Sequence, residues 1–342
     1  MAIYLSIFLA IIGAWLIPWL AMKIVMALRF KSGKQQALNY AGKTVSYGLA
    51  WVWPVWALSL LSVLALGTWL SNALPDILFG EGAIPPVVGE FDQALLQLVQ
   101  TYNFENTFFT LAVPLVLICF FFGWVDDRFG TKGDGGFKGH IRSLFNGQLT
   151  TGMAKVLGIG ATSLIVALYS YGYGLFDGSF WGLGIRDVAW ILFSTCAIAL
   201  SANLINLFDL RPARASKVYV SLLLQVFAIA AGTVFVVAAV TGLLNPWEAN
   251  AETFVYLLWA LGPIFAIWRY DAGERAMLGD AGANPAGALM GLYAIAGLWI
   301  LLPVYVMLVL SLNVLSERFS FTKLIEANPV LNWLDLWGRP KF

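Results

Sequence analysis

The feature that most constrains this chain is a series of apolar runs, most of them long enough to cross the hydrocarbon of a bilayer. Eight are found, over 3–29, 47–72, 105–125, 153–174, 187–208, 217–241, 253–268 and 285–312. A crossing helix needs about 20 residues with almost no charge. Charged residues make up only 11% of the chain, against about a quarter in soluble domains. The expectation is an all-α polytopic integral membrane protein with about eight transmembrane helices. A single transmembrane domain would occupy 1–312, followed by a tail over 313–342. Disorder and a simple soluble globule are excluded. The first run has no basic residue ahead of it and is too long for a cleaved signal peptide, so it is expected to remain as a span.

The distribution of charge orients the segments between the runs. Fourteen of the twenty Lys and Arg residues lie in or at the edge of 30–46, 126–152, 209–216 and 269–284, while 73–104, 175–186 and 242–252 hold only Arg186. The positive-inside rule places the first set in the cytoplasm, and an eight-span count then puts both termini outside. The tail carries Arg318, Lys323, Arg339 and Lys341 with Leu324, Leu331, Trp333, Leu334 and Trp337. It reads as an amphipathic interfacial segment; basic residues on the outer side run against the rule, and a ninth crossing or a re-entrant end would resolve the conflict. A net charge of +1 points to no acidic or basic partner, and the basic footprint of a nucleic-acid binder is absent. With His140 as the one histidine, a multi-His metal centre is excluded. Cys119 and Cys196 lie inside apolar runs and read as small core hydrophobes.

Few charges make each one informative. Asp126 and Asp127 follow the third run in VDDRFG, Asp209 ends the fifth in NLINLFDLRPARASK, and Asp271, Glu274 and Asp280 lie in RYDAGERAMLGDAGAN. All fall on the side assigned to the cytoplasm. Each alone has an ordinary explanation as a helix cap, a turn or an anchor. Their shared side favours one site. Carboxylates beside Lys and Arg at a membrane face suit Mg²⁺ and phosphate, because Mg²⁺ takes oxygen ligands and is held by one or two carboxylates plus substrate phosphates. Arg and Lys neutralise the remaining phosphate charge. Asn203, Asn206 and Asp209 follow at intervals of three, along one side of a helix.

The order of these motifs resembles the polyprenyl-phosphate N-acetylhexosamine-1-phosphate transferase superfamily over most of residues 30–290. NYAGKTVSYGLA (39–50) looks like its first cytoplasmic loop, VDDRFG like its aspartate pair, NLINLFD (203–209) like its N-x-x-N-x-x-D, and GDAGAN (279–284) like its G-D-x-G stretch. Two features depart from the family. The usual D-G-x-D-G reads Asp209-Leu210-Arg211-Pro212-Ala213, without a second aspartate, and no His-rich loop follows G-D-x-G. The resemblance implies transfer of a sugar 1-phosphate from a UDP-sugar to polyprenyl (undecaprenyl) phosphate, with release of UMP. It also implies Mg²⁺ (or Mn²⁺) as cofactor, a bacterial-type cytoplasmic membrane, a homodimer, and a place at the first membrane step of a cell-envelope glycan pathway.

By motif match, Asp209 and Asp127 are the expected metal ligands, and Asp126, Asp127 and Asp209 the catalytic group. Asn203, Asn206, Lys155, Arg211, Arg214, Lys217, Asp280 and Lys43 are expected to bind substrate. Three rival classes fit the sequence less well. A transporter needs ionisable residues near the bilayer midplane, and only Lys23 stands out within a run. A noncatalytic polyprenyl-phosphate binder accommodates the missing aspartate and His loop. A CDP-alcohol phosphotransferase needs a denser aspartate signature than LFDLRPARASK supplies.

Overall fold

A computed structural model of the chain describes residues 11–32, 36–38, 44–46, 48–63, 65, 90–130, 136–173, 184–241, 246–298 and 300–339. The described chain is almost wholly helical. A π-helical stretch, Ile11–Leu16, leads into α1 (Ile17–Ser32). A short antiparallel hairpin of β1 (Gln36–Leu38) and β2 (Thr44–Ser46) pairs Ala37 with Val45. Then come α2 (Gly48–Val63, entered through a 3-10 turn), α3 (Glu90–Phe129), α4 (Gly136–Phe145), α5 (Thr151–Tyr173), α6 (Ile185–Phe208), α7 (Arg214–Thr241) and α8 (Pro246–Asp271). The last four helices are α9 (Asp280–Gly297), α10 (Leu302–Ser316), α11 (Phe321–Ala327) and α12 (Pro329–Leu336).

Among the described residues, five helices are long and apolar enough to cross a membrane: Ile11–Leu28, Phe108–Phe129, Thr151–Gly172, Ile185–Phe208 and Arg214–Thr241. A sixth is reached if α10 and α11, which meet at 94°, form one broken span. These helices suggest a multi-pass membrane protein. They keep large apolar side chains on the outside, Ile165 at 66% and Val240 at 80% exposure among them, which fits lipid as surroundings.

Among the described residues the candidate spans are fewer than the eight expected. The second run is helical over Gly48–Val63 as far as it is described, and 66–72 lies outside the described residues, as does the start of the first run. The seventh run, 253–268, belongs to α8, which is 26 residues long. The eighth run, 285–312, is two helices, because the chain breaks between Gly297 and Leu302. The tail lies at the same end of the bundle as Asp209, since Arg214 pairs with Asp335 and Arg211 with Glu326. α3 runs unbroken from Glu90 into the third apolar run.

The helix that organises the fold is α9. Every residue from Ala281 to Ile295 is buried, against α6, α3 and α7. Small residues permit this. A Cβ on Gly287 would stand 2.1 Å from the Ser201 carbonyl oxygen, and one on Gly291 would stand 2.5 Å from that of Ala197. Backbone packs on backbone along α6, as small residues allow between membrane helices. Buried aromatics fasten the layer around it. Trp53 Nε1 donates to the Gly282 carbonyl at 2.8 Å, Trp56 Nε1 to Trp259 at 3.1 Å, and Tyr293 Oη to Tyr256 at 3.0 Å. Each aromatic buries its ring and satisfies its polar atom on a neighbouring helix.

This packing predicts a contrast between two glycine substitutions. Gly287→Leu should destabilise the protein by about 3 kcal/mol, the upper range for overpacking. Gly232→Ala, on α7 with nothing within 4 Å of the added Cβ, should be neutral or stabilise by about 0.5 kcal/mol. Thermal melts of both variants in detergent decide; equal melting temperatures would contradict the packing account.

Candidate active site

The site is built on the first turn of α9. A helix N-terminus leaves backbone N–H groups without helical partners. Here three successive ones are taken by carboxylates from two other helices. Asp209, just past the end of α6, accepts from Gly279 N–H through Oδ2 at 2.7 Å. Asp127, near the end of α3, accepts from Asp280 N–H through Oδ1 at 3.1 Å and from Ala281 N–H through Oδ2 at 2.9 Å. Two local features make this possible. Gly279 has φ +65°, a left-handed conformation in which glycine is unstrained. Gly123 lacks the Cβ that would otherwise stand 2.5 Å from the Asp280 carbonyl oxygen, so α3 can approach the start of α9.

Lys155, on the first turn of α5, closes the cluster. Its Nζ is 2.7 Å from Asp126 Oδ2 and also bonds Asp280 Oδ2. One ammonium therefore bridges two of the four carboxylates, Asp126 and Asp280. Burial pushes the Asp209 carboxyl well above its usual range, and the charges of Asp271, Asp280 and Asp127 push the same way, against the Gly279 N–H bond. Asp280 is also raised by burial, in spite of Lys155. Asp271 is raised by burial while it accepts from Ala213 N–H at 3.0 Å and Ser216 Oγ at 2.7 Å. Asp271 thereby fixes the turn between α6 and α7.

A cavity of about 520 Å³ adjoins Lys155 between α5, α6, α9 and α10. Val156, Ile159, Leu200, Leu207 and Val314 give it apolar walls. Asn203, Asn284, Asn313 and Glu317 join Lys155 as its polar lining. Asn203 Nδ2 donates to Asn313 Oδ1 at 2.6 Å. Asn284 is 2% exposed, and its Nδ2 has no partner among the described residues.

Of the residues expected from sequence, the structure brings Asp126, Asp127, Asp209, Asp280 and Lys155 together and places Asn203 in the adjoining cavity. Asn206 lies between Asn203 and Asp209 on the last turns of α6, half-buried. Arg211, Arg214 and Lys217 face elsewhere, toward the tail. Arg214 forms a two-pronged ion pair with Asp335, Nε to Oδ1 and Nη2 to Oδ2, both at 2.8 Å. Its Nη1 bonds Thr322 Oγ1 at 2.8 Å. Lys217 donates to the carbonyls of Leu334 at 3.0 Å and Asp335 at 2.5 Å, and Arg211 pairs with Glu326 at 2.7 Å. The stacked rings of Phe208 and Phe321, 4.9 Å apart, reinforce the contact. The tail is thus docked on the α6–α7 turn rather than free. Lys43 lies outside the described residues. Sequence reasoning missed Asn284, Asn313 and Asp335. A lone Asn in the apolar α10 was a usable signal for Asn313; nothing local marked Asp335.

No protein-family model matches this chain, and no curated protein is detectably similar to it in sequence.

The Arg214–Asp335 pair yields a prediction with a sign. Burial alone would raise the Asp335 carboxyl, but hydrogen bonds from Arg214 and the charges of Arg214 and Arg339 hold it below its usual range. Its contribution is therefore complete above the ordinary aspartate value near 3.9 and is lost as pH falls through the lower folded value. Hydrogen exchange over 321–336 should stay slow at neutral pH and accelerate in acid. Asp335→Ala, which leaves Arg214 buried without its partner, should cost about 3–5 kcal/mol and give fast exchange at neutral pH. Unchanged protection in that variant would contradict the role given to the pair.

Proposed function

We propose that this protein transfers a sugar 1-phosphate from a UDP-sugar, an N-acetylhexosamine being the expected sugar, to polyprenyl phosphate. The products are polyprenyl-diphospho-sugar and UMP, and the reaction is the first membrane step of a cell-envelope glycan pathway. The observation that best supports this reading is the gathering of Asp126, Asp127, Asp209 and Asp280 around Lys155 beside an apolar-walled cavity. Such a place receives an anionic headgroup and a long hydrocarbon together.

The donor set fits Mg²⁺. Its ligand atoms are carboxylate oxygens, and it carries more negative charge than Lys155 balances. Among the described residues no three acidic, His or Cys side chains are grouped to chelate one ion, so substrate phosphates would complete the shell, as is usual for Mg²⁺. Asp209, with Oδ2 bonded to Gly279, and Asp127, whose oxygens each keep a lone pair, would hold the ion; Mn²⁺ suits the same donors. When bound, it would neutralise the diphosphate of the sugar nucleotide as charge shifts to the leaving UMP.

The chain's own groups do the remaining work. The lipid phosphate attacks the phosphorus nearest the sugar. It needs no general base, since it reaches the site as an anion. Lys155 brings positive charge to where two anions must meet. It also bridges Asp126 and Asp280. Asn203 and Asn206 orient the diphosphate beside Asp209, and the cavity walls take the isoprenoid and exclude water. Positioning carries most of the rate enhancement in such transfers. Arg214 and Lys217, assigned to phosphate from sequence, hold the α6–α7 turn in this scheme. One observation favours a second reading, a noncatalytic polyprenyl-phosphate binder: an ammonium already bridges Asp126 and Asp280.

Purified protein with Mg²⁺, polyprenyl phosphate and a panel of UDP-sugars should release UMP from one sugar; release from none sinks the transferase reading. Asp209→Ala should abolish release, and Asp127→Asn should lower turnover by a large factor, while near-normal turnover in either variant removes that residue from the site. A separate readout needs no turnover. Mg²⁺ should raise the melting temperature of the wild type at neutral pH, because it binds the folded state. The same addition should have little effect on Asp209→Asn.

A further inference from the structure

We infer that the outward face of α11 and α12 is a docking surface for the membrane interface, its occupant the boundary between phospholipid headgroups and acyl chains. α10 exposes Val304 at 66%, Met307 at 57% and Val314 at 52% along its length. The chain then turns by 94°, so α11 runs across the end of α10 instead of extending it. α12 starts at Asn328, whose Oδ1 accepts from Val330 N–H at 3.0 Å and Leu331 N–H at 3.1 Å. Within α12 and the residue that caps it, Val330, Trp333, Leu334 and Trp337 fall at i, i+3, i+4 and i+7, the spacing of one helical face. All four are exposed, Trp333 at 62% and Trp337 at 61%. Asp335 points the other way, into Arg214 and Arg339. The α11–α12 unit therefore turns Thr322, Glu326 and Asp335 toward the protein and leaves the apolar face of α12 exposed among the described residues.

Three things on that apolar side select lipid. It continues the exposed apolar face of α10, a helix apolar enough to form a span together with α11. It lies across the end of that helix, turned by 94°, where a spanning helix would leave the hydrocarbon. Its centre is a pair of tryptophans, whose amphipathic rings favour that depth, and the exposed Arg318 and Lys323 flank the bend, where anionic headgroups attract cations. The inference does not depend on the transferase reading. It has a consequence for the site, however. The helix that meets lipid also carries Asp335, which holds Arg214, so the seating of α12 sets the turn that follows Asp209.

The test uses the full chain with Cys196→Ser and a nitroxide at Val330→Cys or, on the opposite side of α12, at Asn332→Cys. The protein is reconstituted in vesicles of phosphatidylethanolamine and phosphatidylglycerol. At Val330 the label should collide several-fold more with oxygen than with a water-soluble nickel chelate, and at Asn332 this excess should be absent. Equal access of both reagents at Val330 would overturn the inference. So would dipolar broadening between labels with oxygen shut out, which would make the face an interface between two copies. Trp333→Glu with Trp337→Glu should abolish the oxygen excess, and its persistence would also overturn the inference. No substrate is involved, so failure here leaves the transferase reading standing.

Discussion

The structure depends on how the first turn of α9 is satisfied. A helix that begins in the protein interior presents several N–H groups with no water to bond. Asp127 and Asp209 supply that need from α3 and α6, and the positive end of the helix in turn favours their negative charge. The same bonds fix the relative positions of three helix ends. The acidic cluster is therefore a structural joint as well as a candidate site. Lys155 keeps the arrangement tolerable, because without it Asp126 and Asp280 would confront each other across a space with little solvent.

Burial of α9 along its whole length explains why the chain is made as it is around 279–297. A helix that must touch three neighbours at backbone distance has room for Gly and Ala but little for Leu or Phe. That composition also lowers its mean hydropathy, which is why α9 is not a span by apolarity although it lies at the centre of the bundle. Its polar members, Asp280 and Asn284, are the ones that meet the cluster and the cavity. Small residues for packing and polar residues for chemistry thus share one short helix.

Much of this was legible in the sequence, and the reasons are local. Hydropathy located the long helices, because spans are continuous runs of one chemical character. Acids in a charge-poor chain identified Asp126, Asp127, Asp209 and Asp280 as a group, and Lys155 was placed beside them from its position at the edge of a run. What escaped was set by tertiary contacts. The break between Gly297 and Leu302 lies inside unbroken apolar sequence, so two helices read as one. Arg211, Arg214 and Lys217 looked like phosphate ligands because a positive side chain does not reveal its partner; Asp335 and Glu326 lie more than a hundred positions away. Asn284 sits within a motif that drew attention to its glycines and aspartate, and only the folded cavity sets it apart.

The Arg214–Asp335 pair also bears on how the molecule is assembled. Its members are 121 positions apart, and a chain is made from its N-terminus at a pace of several residues per second. α6, α7 and the turn between them therefore exist for several seconds before Asp335 does. During that interval the guanidinium of Arg214 has no counterion from the tail, and the turn beside Asp209 is held from the α8 side alone, once Asp271 has been made. The pair is a long-range contact of the kind that slows folding. A chain cut short of residue 335 would keep the guanidinium of Arg214 without that carboxylate partner.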